Sequence, residues 1–153
     1  MERADASALA RYFEFYAGAC DKLHGETIPY QDGYTVLTLR EPHGVTGHIV
    51  PWNYPLFLAV SPLAAALAAG NRVMVKMSEF TPAFAALFQQ LIASAFRTNE
   101  VAVITGGADV AAQFAALPFD HLLFTGSTAI GRKSRRRTRA APTGTPSSRR
   151  GSA

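Results

Sequence analysis

Three short stretches bring together residue types able to handle a nucleotide and a polarised carbonyl. The first is Thr125-Gly126-Ser127-Thr128-Ala129-Ile130-Gly131. An apolar strand ends there in glycine and small hydroxyl residues, and a helix begins at once. Free backbone N–H groups at such a helix start, aided by the helix dipole, can hold a pyrophosphate, and Gly126 lets the backbone approach closely. The same residues also suit a helix cap with a purely structural purpose. The second stretch is Lys76-Met77-Ser78-Glu79, again at the end of an apolar run. A carboxylate can accept hydrogen bonds from a ribose diol and an ammonium can donate to it. A solvated surface pair is the plainer reading of these two charges. The third is Pro51-Trp52-Asn53-Tyr54-Pro55. An Asn amide can stabilise a developing oxyanion, although a turn Asn beside a core Trp would look the same.

The elements that must position these residues follow from periodicity. Apolar residues at helical spacing from Ser7 to Leu23 predict a helix, and Thr27 to Leu39 reads as two strands around an Asp32-Gly33 turn. From Gly44 onward the pattern alternates. Strands are expected at 47–51, 72–77, 101–105 and 121–125, and helices at 55–69, 82–96, 109–117 and from Ser127. Gly70-Asn71 stops the first of these helices, and Thr81-Pro82 starts the second as an N-cap followed by proline. Strand and helix in short alternation specify an α/β fold: a partial Rossmann-like parallel sheet with helices on both faces, preceded by a helix and a β-hairpin arm. Ligands on such sheets sit at the carboxyl ends of the strands, which is where all three stretches fall.

Composition narrows the class further. The chain has 153 residues and is 48% hydrophobic, enough for one domain with a core. Its net charge of +4 is unevenly spread. Residues 1–133 carry all eleven acidic residues and a net −2, while residues 134–153 carry six Arg and no acid. A basic balance confined to the tail, without interleaved aromatics, argues against a nucleic-acid partner. The apolar run from Tyr54 to Gly70 is short for a membrane span and broken by Ser61-Pro62, so no membrane partner is expected. Cys20 is the single cysteine; no internal disulfide and no Cys/His metal spacing is available, and no signal peptide is read. A cytoplasmic setting is expected. Cys20 lies on the apolar side of the first helix and reads as structural, as do His43 and His48.

Taken in order, Gly-Val-Thr-Gly-His-Ile-Val-Pro-Trp-Asn-Tyr-Pro-Leu, Ala-Leu-Ala-Ala-Gly-Asn-Arg-Val-Met-Val-Lys-Met-Ser-Glu and Phe-Asp-His-Leu-Leu-Phe-Thr-Gly-Ser-Thr resemble the aldehyde dehydrogenase superfamily over residues 7–133. The resemblance implies an oxidoreductase that converts an aldehyde to a carboxylic acid with NAD as acceptor. It assigns Asn53 to the oxyanion, Lys76 and Glu79 to the adenosine ribose, Ser127 within the Gly126–Gly131 loop to the pyrophosphate, and Trp52 to the cofactor side. A ribose-binding Glu disfavours the 2′-phosphate of NADP. The family is homo-oligomeric, and the 27–39 hairpin resembles its oligomerisation arm. Residues 55–133 look most like the coniferyl-aldehyde dehydrogenase branch. Asp21 to Pro29 looks more like the broad-specificity betaine- and phenylacetaldehyde-type branch, which suggests two ancestries.

The same resemblance implies a catalytic Cys and a general-base Glu downstream of the Gly-Ser-Thr loop, and neither residue occurs after Gly126. The expected organisation is therefore a helix and hairpin over 1–43, a partial NAD-binding domain over 44–133, and a disordered Arg-rich tail over 134–153 whose composition suits a GC-rich gene read out of frame. Such a truncated chain is expected to be inactive alone. The rival is a non-catalytic remnant that binds NAD or a partner.

Overall fold

A computed structural model describes the backbone of residues 2–140 and the side-chain surroundings of residues 6–135. Helix α1 (Glu2–Ala19) leads into two very short strands, β1 (Thr27–Ile28) and β2 (Val36–Leu37). Four strands and four helices then alternate: β3 (Val45–Ile49), α2 (Pro55–Ala68), β4 (Arg72–Lys76), α3 (Pro82–Ala95), β5 (Val101–Ile104), α4 (Ala108–Phe114), β6 (His121–Phe124) and α5 (Thr128–Ala140). The α/β class and every element from β3 to β6 agree with the sequence pattern. The hairpin differs: only two residues of each strand pair, Thr27 with Leu37 and Ile28 with Val36. The Asp-Gly turn does form, with Gly33 at φ 86° and a Tyr34 N–H to Gln31 bond of 3.2 Å. Ile28, Tyr30, Tyr34, Leu37 and Leu39 nevertheless face solvent, and toward the turn the arms meet through one edge-to-face contact of Tyr30 and Tyr34 rather than through a buried apolar face.

The four long strands are parallel, in the order β5-β4-β3-β6. The chain steps outward from β3 to β5 and then returns to the far side of β3. Crossovers of one hand therefore put α2 and α3 on one face and α4 and α5 on the other. Facing residues in register share a face. Thr46, His48 and Val50 thus lie with Val73, Val75, Met77, Val101 and Val103, and this row packs on Ala59, Val60, Leu63, Ala85, Phe88 and Ile92 of α2 and α3. Leu9 of α1 joins the same core by lying against α2. The opposite row, which includes Met74, Ala102, Ile104, Leu122 and Phe124, is only half-buried.

Local chemistry sets the helix ends. Pro55 stands in the first turn of α2, and Gly70 beyond its end takes φ 80°, a left-handed conformation that glycine adopts freely. The buried Asn71 side chain donates to Ala66 O at 3.1 Å and accepts from the Gly44 N–H at 3.1 Å, fastening the end of α2 to the start of β3. Asp120 Oδ2 accepts from the Val45 N–H at 2.8 Å, so β6 is pinned to the same point. Two expectations need correction. Thr81 precedes α3 as expected, but its hydroxyl makes no capping bond and is buried without a partner. Helix α5 does not stop near Ser134: it continues to Ala140, so disorder does not begin at residue 134. Arg and Ala are strong helix formers, and they carry the helix beyond the point where its apolar residues run out. The remainder of the expected tail, residues 141–153, lies outside the described residues.

The structure also qualifies the expectation that His48 is structural. It is 3% exposed in the middle of the sheet, and its Nδ1 has no hydrogen-bond partner. Burial first, and the neighbouring His121 second, lower its pKa to about 4. His121 in turn stacks on His43 with ring centroids 5.8 Å apart.

Candidate cofactor site

The parallel ladder runs to its carboxyl edge without a break. Ile49 faces both Lys76 and Phe124, and Lys76 faces Ile104. Ile104, Lys76, Ile49 and Phe124 therefore form the last rung of the half-covered face, one from each strand. Just beyond it the Val50 N–H donates to Lys76 O at 3.0 Å, that of Met77 to Ile104 O at 3.0 Å and that of Thr125 to Ile49 O at 3.1 Å. These bonds fix the directions in which the loops leave the sheet. Between β3 and β6 the strand order reverses, and the splayed loops leave a crevice where such sheets hold ligands. The observed cleft has a volume of about 530 Å³, within the usual range for cofactor sites of about 300–1,000 Å³. Its walls come from Ile49 to Trp52, Lys76 to Phe80, Ala108 with Ala111 and Ala112, and Phe124 to Ser127, with a further contribution from α5.

Lys76 forms the floor. It is 1% exposed, which rules out the solvated surface pair. Its ammonium donates to Met77 O at 2.7 Å and to Gly106 O at 2.7 Å, so a buried charge is met by two carbonyls and the loop after β5 is tied to β4. Burial pushes its pKa down from the ordinary 10.5, and the Glu79 and Asp109 carboxylates oppose that shift. Glu79 is exposed on the rim of the same cleft. Next to it Ser78 is nearly buried, and its hydroxyl accepts from the Phe80 N–H at 3.3 Å, which shapes the turn that presents Glu79.

On the opposite wall, Gly126 brings the backbone close to the Phe124 ring: a Cβ there would meet Phe124 Cζ at 2.8 Å. Ser127 follows as the residue before α5. Its hydroxyl accepts from the Ile130 N–H at 3.5 Å, a weak capping bond that leaves the hydroxyl available to another donor or acceptor. The carbonyl of Ser127 is committed to the Gly131 N–H at 3.0 Å.

The sequence-derived residues thus separate into two groups. Trp52, Lys76, Glu79, Gly126 and Ser127 all line the one cleft. Gly131 and Asn53 do not. A Cβ at Gly131 would sit 3.1 Å from the Phe124 ring, so the absence of a side chain serves helix-to-strand packing there. Asn53 is exposed in the turn before α2. Cys20 is exposed, bonded through Sγ to Tyr16 O at 3.2 Å near the end of α1, and is not part of the cleft wall. Sequence reasoning missed Ile130, Lys133 and Ser134 of α5, which also line the cleft. Their spacing from Ser127, at three, six and seven residues, was a readable helical face; placing a boundary at Ser134 hid it. It also missed Asp109, whose charge acts on Lys76. No helix among the described residues is long and apolar enough to cross a membrane.

Comparison with known proteins gives one answer. The model of the aldehyde dehydrogenase family matches residues 1–145. A protein of Pseudomonas aeruginosa named "Probable coniferyl aldehyde dehydrogenase" is 60% identical over 92 residues, covering 60% of this chain and 19% of the relative. Aldehyde dehydrogenase family 2 member B4, mitochondrial, of Arabidopsis thaliana is 41% identical over 132 residues, covering 84% of this chain and 24% of the relative. Among solved structures, the NAD+ complex of aldehyde dehydrogenase from Bacillus cereus superposes with a TM-score of 0.81 at 33% identity, covering 88% of this chain and 28% of that one. The chain therefore spans about a fifth to a quarter of the length of these curated relatives.

Proposed function

The chain belongs to the aldehyde dehydrogenase family, and on that premise we propose that it forms the cofactor-binding part of an NAD-dependent aldehyde oxidation. The observation that carries this reading is the convergence of Trp52, Lys76, Glu79, Gly126 and Ser127 on a single cleft at the switch point of the sheet. In this reading Glu79 accepts from the adenosine ribose and Lys76 donates its remaining proton to it. The backbone at Gly126 and the Ser127 hydroxyl meet the pyrophosphate at the start of α5. Trp52 lies against the cofactor side of the site, and Asn53, one residue further along the same turn, serves the oxyanion. NAD supplies hydride acceptance when bound. The Glu79 carboxylate on the rim would face a 2′-phosphate with like charge, so NAD is preferred to NADP.

Binding and chemistry part company in this chain. The aldehyde reaction needs a thiolate at the oxyanion site, and Cys20 is the only cysteine. Its position near the end of α1, outside the cleft wall, speaks against Cys20 as that thiolate, so the reading for this chain is cofactor binding without aldehyde oxidation. Residues 1–43 act as a packing helix and oligomerisation arm, residues 44–133 as the cofactor domain, and the setting is cytoplasmic. Titration calorimetry tests the central point. NAD is expected to bind, and Glu79→Gln to weaken NAD by about tenfold while narrowing the preference over NADP. Absence of NAD binding by the folded chain, or an unchanged affinity in Glu79→Gln, would overturn the reading.

A further inference from the structure

Helix α5 gives the cleft more than its first turn. Ser127, Ile130, Lys133 and Ser134 share one face and all line the wall. Side chains on a helix lean toward its N-terminus, so Lys133 is directed back over Ile130 toward the Gly126-Ser127 loop. Five to six residues of helix rise about 8–9 Å. The flexible four-carbon lysine stem spans most of that distance. The two cations of the wall differ in commitment. Lys76 is buried and bonded to two carbonyls. Lys133 is exposed, and the one ion pair among the described residues is Lys22 with Asp21. A diphosphate at the loop would bring two negative charges into a cleft whose floor cation is already engaged. The exposed ammonium of Lys133, six residues along the same helix from Ser127, is placed to meet them.

We propose that Lys133 is a diphosphate-binding residue, recognising the pyrophosphate of a dinucleotide held at the start of α5. The inference rests on the cofactor-site reading above but assigns a contact that reading does not contain. Calorimetry of the full chain with ADP-ribose and with adenosine tests it. Lys133→Ala is expected to weaken ADP-ribose by about five- to tenfold and adenosine by less than about twofold, since only the former carries the diphosphate. Lys133→Arg should recover most of the loss, and the gap between wild type and Lys133→Ala should shrink at high salt. A general packing role would not produce that salt dependence. If Glu79→Gln weakens both ligands while Lys133→Ala weakens neither, the site stands and the Lys133 assignment falls. Equal loss for both ligands in Lys133→Ala also overturns it. If wild type binds neither ligand, the cofactor-site reading and the Lys133 assignment fall together.

Discussion

The two faces of the four-stranded sheet are built from the same strands and differ in what covers them. The face under α2 and α3 is closed: Val73, Val75 and Met77 are within 2% of complete burial, and Ala59 and Leu63 of α2 are fully buried. The face under α4 and α5 carries the half-buried Ile49, Ile104 and Phe124, and its one fully buried long side chain is a lysine. One face spends its residues on packing. The other leaves space at its carboxyl edge, and the cleft is that space. Binding capacity and stability are thus separated by the thickness of a strand, and adjacent residues such as Val75 and Lys76 answer to different demands.

Substitution on the closed face is the strongest test of this contrast. Leu63→Ala removes a fully buried side chain and is expected to cost about 3–5 kcal/mol, whereas Ile130→Ala on the cleft wall should cost less than about 1 kcal/mol; urea unfolding of the pair measures both. Equal costs would erase the distinction. Next in size is acid sensitivity from His48. Its folded pKa is lowered to about 4 against an ordinary 6.5, so the unfolded chain binds the extra proton first. The contribution is whole above pH 6.5 and is lost progressively as pH falls to about 4, about 3 kcal/mol in all. Helices α2 and α3 over that face carry no acidic or basic residue that could pair with a charged His48. Comparing urea midpoints at pH 7 and 4.5 for wild type and His48→Leu should show the dependence flattened in the variant. Smaller still is Lys76→Met. It keeps the apolar stem but frees Met77 O and Gly106 O, for an expected cost of about 1–2 kcal/mol and a clear loss of NAD affinity. If affinity survives, the buried ammonium is a structural clamp alone.

How much of this was legible depends on the range of the forces involved. Gly70-Asn71 and Pro82 act locally, and the helix boundaries they set were readable. The alternation that defines β3 to β6 was readable for the same reason. Lys76 was harder. Its type suggested a surface charge, and only the position of Gly106 O, thirty residues on, makes burial tolerable. The unpartnered Nδ1 of His48 and hydroxyl of Thr81 are likewise consequences of tertiary packing that no local pattern encodes. The error at α5 was of another kind. The loss of the apolar stripe at Ser134 predicts the end of the helix, but Arg-rich sequence keeps its backbone preference without one. For the site, residue types at strand ends pointed to Lys76, Glu79, Gly126 and Ser127 of the cleft wall and to Asn53, which is not part of it. Family resemblance added Trp52, which lines the wall, and the loop's far end at Gly131, which does not.

The strand order also sets a timetable. Strands β3, β4 and β5 pair with near neighbours in sequence, but the bond from Val45 to Asp120 joins residues 75 apart. Pairings across so long a loop carry the larger closure entropy and tend to come late in folding. Until β6 docks beside β3 there is no second wall, so the cleft is expected to form late in folding and to open early in unfolding. A dinucleotide bound across that seam would act as a brake on the departure of β6, lengthening the life of the folded chain at its slowest-formed joint.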